Sequence, residues 1–368
     1  LWAFVPTSGG FSLPQALGQF GAKNIVATTG LTQAKVPALG AAYLPPAQAQ
    51  AATELAGFLD AQVGTTETFF DFSNEPLLYF LVPRRPVVSS LLTASLATFD
   101  QQLEAIRHLA DARVKVVVWH APGEPVGSLV PSEVGQYALA EYLLHQFTPL
   151  TVKGGRVVLG PRAENPAPDA AAAAALQQPL TLGQLPWAWG RFSKYDPGQG
   201  AGAGTLAPAE GAKSVEPAGL TITAQGDELA VGEAGREVTL TLKAQPDATQ
   251  NPNVITLRLK VPPALDGQSA VLAWGDKASG REVSFALQGD GQAHAYVLRV
   301  GAMPAWVLAG EIKTLQLKMP GGNWAWEAGH FLAIRDIPQI QAPAPPAPVP
   351  ATAPAAKTEK TKPAAGKK

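Results

Sequence analysis

Asp71, Asn74 and Glu75 stand close together in the stretch TFFDFSNEPLLYFLVPRRP (68–86), and Arg84 and Arg85 close it. Carboxylate and amide groups exchange hydrogen bonds with hydroxyls, and arginine forks clamp phosphate oxygens, so this set could hold a sugar or a phosphate. The competing reading is structural: Asn74-Glu75-Pro76 caps the next helix and Asp71 pairs with an arginine of the same turn. A second candidate is His120 with Glu124, in the loop after VVVW, as an acid/base pair. Its alternative is a loop histidine bonded to backbone. No Gly-x-Ser-x-Gly elbow accompanies His120, and the five histidines are scattered without metal-ligand spacing. No catalytic residue, metal site or cofactor is therefore assigned. A third candidate is a platform of Trp274, Trp324 and Trp326, with Trp306 beside it. Exposed indole faces stack on sugar rings, whereas buried ones fill a core, and Trp324 and Trp326 share one face of a strand in either case.

These residues need elements to position them. Phe69, Phe70 and Phe72 mark a buried strand that breaks at Ser73-Asn74-Glu75-Pro76. Asp71 and Asn74 then sit at its carboxyl end, where open α/β sheets place ligands. Before it, residues 1–45 read as an irregular leading segment with one strand candidate at Asn24–Thr28. Ala52, Leu55, Ala56 and Leu59 recur at i, i+3, i+4 and i+7 within 46–63, which predicts a helix of about four to five turns. Ser95–Ala112 predicts a second helix and Val114–Trp119 a strand buried on both faces. A third helix is expected from Ser132, as N-cap with Glu133 an acid in the first turn, to Phe147, followed by a hairpin through Gly154-Gly155. Together 46–162 reads as a small α/β layer domain with a partly parallel sheet.

Beyond it, 163–218 reads as a linker, with Asn165–Ala175 and Gly198–Gly204 its most flexible parts. Trp187, Trp189 and Phe192 in the middle predict a segment stapled onto a domain. From Gly219 the apolar period becomes two, and eight strand candidates alternate with Gly, Pro, Asn and Asp turns. That spacing predicts an all-β jelly-roll sandwich over 219–338 with almost no helix. The Pro/Ala/Lys tail, 339–368, cannot bury apolar surface and is expected to be disordered. The fold class read from sequence is thus α+β and multidomain.

Composition narrows the function classes. A chain of 368 residues with 46% hydrophobic residues can build two or three cores. A net charge of −1 weighs against a nucleic-acid or anionic-membrane partner. With no cysteine, disulfides, thiolate metal sites and cysteine nucleophiles are excluded. No apolar run reaches the roughly 20 residues that cross a bilayer. The start at Leu1, without methionine, gives the expectation that a segment upstream has been removed.

Two resemblances follow. ETFFDFSNEPLLYFLVPRRP, VKVVVWH and GQYALAEYLLHQFTPLTVKGGRVVLGPR, within 46–162, resemble the extracytoplasmic domain that follows the membrane helices in bacterial polytopic glycosyltransferases of the GT-C architecture. The dolichyl-phosphate-mannose-dependent and arabinose-transferase groups belong to that architecture, and LPWAWG resembles the connector after the domain. Residues 285–337 are similar to the last strands of galactose-binding-like sandwiches of carbohydrate-binding modules. In GT-C enzymes the catalytic acid lies on an early loop between membrane helices, and nothing here matches that loop. The resemblance therefore implies a non-catalytic, periplasmic or extracytoplasmic region that positions a polyprenyl-linked sugar donor or a glycan acceptor, either with a membrane-embedded transferase portion upstream or in a relative that has lost or never had that portion. The alternative is a secreted or periplasmic carbohydrate-binding or envelope-scaffold protein without transferase activity.

Overall fold

Side-chain alternation along two short strands decides how the first half is layered. The structure, a computed structural model, describes residues 30–39, 43–120, 131–186, 201–209, 215–216, 221–225, 228–232, 237–246, 252–275, 281–334 and 337. The antiparallel pair β1 (Thr32–Gln33) and β2 (Tyr43–Leu44) leads into helix α1 (Pro46–Gln62), with a proline at its start where a missing N–H costs nothing. Then come β3 (Phe70–Asp71), the single turn α2 (Leu78–Leu81), α3 (Phe99–Asp111) and β4 (Val117–Trp119). They are followed by α4 (Ser132–Gly135), α5 (Tyr137–Gln146), β5 (Phe147–Lys153) and β6 (Arg156–Pro161). The sheet order is β3-β4-β6-β5, parallel between β3 and β4 and antiparallel elsewhere.

Phe69, Val116, Val118 and Val158 point to one face, against Leu55 and Leu59 of α1 and Leu78 and Leu81 of α2. Phe70, Phe72, Val117, Trp119, Val157 and Leu159 point to the other, against α3 and α5. Period-two alternation thus gives the sheet a helix layer on each side. The β5–β6 turn requires glycine: Gly154 and Gly155 have φ of 54° and 77°, and a Cβ on Gly154 would collide with the Ala51 carbonyl of α1.

Three local details differ from the sequence expectation. α3 begins at Phe99, because Thr93–Ser95 forms a separate 3-10 turn and Thr98 with Gln101 makes a capping box. The expected third helix breaks at Gln136, whose φ of −112° and ψ of 45° leave the helical region. Pro131, not Ser132, is the N-cap of α4, and Ser132 is buried within it.

The second half follows through α6 (Ala170–Leu176), β7 (Leu180–Thr181), β8 (Ala201–Pro208), β9 (Val215–Glu216), β10 (Thr221–Gln225) and β11 (Glu228–Gly232). It continues with β12 (Val238–Pro246), β13 (Val254–Lys260), β14 (Ser269–Trp274), β15 (Glu282–Ala286) and β16 (Ala293–Leu298). It ends with the single turn α7 (Pro304–Val307), β17 (Thr314–Met319) and β18 (Trp324–Ala333). Hydrogen bonding runs β10-β11-β18-β8-β12-β17-β14-β15-β7, with β16-β13 joined to the other side of β18. The result is one curled, sandwich-like sheet whose inner face holds Leu240, Leu257, Leu272, Phe285, Tyr296, Leu317 and Phe331.

Both segments read as linkers carry structure. Asp169 caps α6 through Ala172 N, 2.9 Å from its Oδ1. Residues 201–204 of the expected Gly198–Gly204 linker belong to β8, which bridges β12 and β18 and so closes the sheet. Gly204, with φ of 132°, allows an approach that a side chain would block. β18 begins at Trp324, ahead of the expected start at His330, and α7 is a helical turn inside the region expected to be nearly all strand. Asn24–Thr28, Trp187, Trp189, Phe192 and the 339–368 tail lie outside the described residues.

Candidate functional site

The parallel pair β3–β4 places two polar clusters side by side at its carboxyl edge, since Asp71 pairs with Val118 and the Phe72 amide donates to the Val118 carbonyl. The first cluster belongs to Asp71. Its Oδ1 accepts from the Ser73 amide (2.8 Å) and hydroxyl (2.5 Å), and its Oδ2 from the Glu75 amide (2.7 Å). These bonds wind the turn in which Asn74 adopts a φ of 62°, a conformation asparagine tolerates. Asp71 is only 2% exposed, and burial pushes its carboxyl up to about 6 against the pull of those hydrogen bonds. Its carboxylate is thus committed to the turn.

Asn74 Oδ1 accepts from the Ala94 amide at 3.1 Å, which ties the 90–95 loop to the same edge. Glu75 pairs with Arg156 at the start of β6. Arg84 donates instead to Asp60 Oδ1 (2.8 Å) and to the carbonyls of Val63 (2.9 Å) and Gly64 (3.1 Å), closing the end of α1. The Arg85 carbonyl accepts from the Thr68 hydroxyl at 2.6 Å. Arg84 through its side chain and Arg85 through its backbone carbonyl therefore bind the segment leading into β3, while Asp71, Asn74 and Glu75 sit at its far end. One turn of helix, α2, carries the chain back across the sheet, so the acidic and basic groups do not form one clamp.

The second cluster surrounds a residue that the sequence pattern left as a first-turn acid. Glu133, on α4, is 4% exposed, and its Oε1 accepts from Trp119 Nε1 (2.9 Å) and lies 2.5 Å from His120 Nε2. Burial alone would raise this carboxyl; the charge and hydrogen bond of His120, with the indole bond, outweigh it and hold the group below its usual range. Among the described residues, the buried Glu133 Oε2 has no hydrogen-bond partner. The Trp119 indole packs at a tilt of 56° against Phe72, ring centroids 4.5 Å apart, which fixes the donor. Glu124, the partner expected for His120, lies outside the described residues. Glu133 lies thirteen residues along the chain from His120 and on a separate helix, so no local pattern marks the pair.

Trp274, Trp324 and Trp326 form no platform. Trp274, Trp324 and Trp326 are 2%, 1% and 2% exposed, all within the sandwich core. Trp274 Nε1 donates to the Ala305 carbonyl (3.0 Å) and its ring meets Trp306 edge-on at 5.4 Å. The Trp326 ring lies over Gly329, where a Cβ would meet it at 2.6 Å. Inward orientation follows from β18 being paired on both edges with its face turned to the core.

The chain thus combines a four-stranded α/β layer carrying a polar strand edge with a larger curled sandwich. No family profile matches the sequence, and no curated protein does. Among solved structures, it is similar to the CsCBM6-3 module of Clostridium stercorarium in complex with cellobiose, at 13% identity over 35% of this chain and 93% of that one, with a TM-score of 0.24. It is also similar to the carbohydrate-binding module CBM6cm-2 of Cellvibrio mixtus lichenase 5A in complex with cellotriose, at 12% identity over 35% and 96%, with a TM-score of 0.22. Likeness at these scores carries no functional weight, and the sandwich rests on the strand pairing above. Among the described residues no group of three or more His, Cys, Asp or Glu could hold a metal, and no helix is long and apolar enough to cross a membrane.

Proposed function

We propose that this chain is a non-catalytic glycan-positioning region acting at the outer face of a bacterial membrane, which holds the sugar of a polyprenyl-linked donor, or a glycan acceptor, at the carboxyl edge of β3–β4. The observation that carries the reading is Glu133, a buried carboxylate kept ionised by Trp119 and His120, with one oxygen that has no donor among the described residues. Stability alone does not favour such an arrangement, because burying a charge costs several kcal/mol and each unfilled acceptor adds to it. A hydroxyl is the group that completes the shell. Its approach is over His120, whose side chain is 17% exposed while that of Glu133 is 3% exposed. A sugar fits this chemistry better than a phosphate, which a second anion at the same edge would repel. In a donor, the phosphate would lie away from Glu133.

Calorimetric titration with mannose and arabinose oligosaccharides and with a short-chain polyprenyl-phosphate-mannose tests this. Binding to at least one is expected, weakened about 10- to 100-fold in Glu133→Gln, which puts an amide donor where the ligand needs an acceptor. Binding of neutral oligosaccharides alone would favour the scaffold alternative. No binding to any of them, or equal binding by the folded variant, overturns the proposal.

A further inference from the structure

The helix pair that carries Glu133 is gripped from behind by the sandwich. Tyr137 and Glu141, one helical turn apart on α5, both face it. Glu141 is 5% exposed, and its Oε1 accepts from Asn253 Nδ2 at 2.6 Å. Asn253, just before β13, uses every polar group it has. Nδ2 also donates to the Ile334 carbonyl (2.9 Å), and Oδ1 accepts from the Ile334 amide (2.8 Å). Its backbone bonds Leu332 and Gly301. The Arg299 guanidinium lies 4.6 Å from the Tyr137 ring centroid. A Cβ on Gly301 would come within 2.9 Å of Glu141 Cδ and 2.7 Å of Asn253 Cβ, so glycine there is what lets the two layers close.

The apolar contacts interlock in the same place. Val134, the neighbour of Glu133, is part of the sandwich core, and Ala302 of the sandwich is part of the helix-layer core. Gln102 of α3 then fixes the break between α4 and α5. Its Nε2 donates to the Gly135 carbonyl (3.1 Å) and its Oε1 accepts from the Ala138 amide (3.0 Å). A displacement of α5 is therefore handed to α4, and from α4 to the carboxylate that holds His120.

We infer that the sandwich works on this site as a clamp: the Glu141–Asn253 bond is a positioning lock that sets the Glu133–His120 geometry. The described tryptophans fit this assignment, since the sandwich spends Trp274, Trp324 and Trp326 on its own core and presents none of them as a sugar platform. The glycan part of this inference rests on the function proposed above; the positional part does not.

Two substitutions separate a lock from a packing contact. Glu141→Gln keeps an acceptor for Asn253 Nδ2, whereas Glu141→Leu removes it, fills much the same volume and leaves Asn253 bonded to Ile334. The readout is the imidazole signals of His120 in the full chain, followed by NMR with histidine-selective labelling, together with the oligosaccharide titration. In Glu141→Leu the His120 signals should move well beyond those of His108 on α3 and His294 in the sandwich, and oligosaccharide affinity should fall about tenfold. Glu141→Gln should restore both. A folded Glu141→Leu protein whose His120 signals match the native ones overturns the lock. If the native chain binds no oligosaccharide but the His120 signals move as expected, the lock stands and the glycan reading falls. If Glu141→Leu does not fold, Asn253→Ala is read the same way.

Discussion

Replacing Asp71 by asparagine should remove a pH-dependent loss of stability that the native turn builds in. The native carboxyl is held at about 6 against an ordinary 3.8, chiefly by burial. Below pH 3.8 the group is protonated in both folded and unfolded chains and has no effect. As pH rises from there to about 6, the unfolded chain gives up this proton while the folded one keeps it, so stability falls with pH over that window and is level above it. The span corresponds to about 3 kcal/mol, a large share of a typical domain's stability. Asparagine keeps an oxygen for the Ser73 amide and hydroxyl but turns an N–H toward the Glu75 amide, a flat loss of about 1 to 3 kcal/mol at every pH. Urea unfolding of both proteins at pH 4, 5, 6 and 7 gives the comparison. Glu133, whose carboxyl is depressed, works in the opposite sense, contributing stability at higher pH that is lost as pH falls; present in both proteins, it cancels in the difference. The difference between native and variant should therefore shift by about 2 kcal/mol in the variant's favour from pH 4 to pH 7, enough to cancel or reverse the flat loss. Parallel profiles would refute the placement of an ionisable, water-excluded Asp71 at the strand end.

Two further substitutions probe the elements behind the site. Thr98→Ala removes one half of the capping box of α3 and should cost about 1 kcal/mol in urea unfolding at neutral pH; no change would mean that α3 is held by packing alone. Gly154→Ala places a side chain at positive φ against the Ala51 carbonyl and should cost about 2 kcal/mol or more, lowering the thermal midpoint by several degrees. A thermal midpoint equal to the native one would show that the hairpin does not close onto α1.

What sequence revealed of this protein follows the range over which each signal acts. Periodicity is local: the runs 237–244 and 253–261 announce strands because their own side chains alternate, and β12 and β13 form there. The carboxyl edge of β3 was legible for the same reason, since three phenylalanines followed by Ser-Asn-Glu-Pro mark a strand and its end without reference to anything distant. β8 is the opposite case. AGAGTLAP has almost no intrinsic strand preference and pairs only because β12 and β18 offer edges on both sides, which makes it a product of tertiary structure.

Partnerships fall into the second kind, and they decided the site. Arg84 and Arg85 follow Glu75 closely in sequence, yet the turn of α2 reverses the chain, so Arg84 pairs with Asp60 and Glu75 with Arg156. His120 finds Glu133, and Glu141 finds Asn253, 112 residues away. The tryptophans show why residue type alone could not decide: alternation put Trp324 and Trp326 on one face, but whether that face looked in or out depended on β18 lying inside the curled sheet. Glu133 was readable only as a helix-start acid because its role comes from three segments meeting, β4 with the indole and imidazole, α4 with the carboxylate, and the sandwich gripping the next helix. A site assembled in this way responds to changes in any of the three, which is why substitutions at Glu133, at Asp71 on the neighbouring strand end and at the remote Glu141 test one arrangement from separate sides.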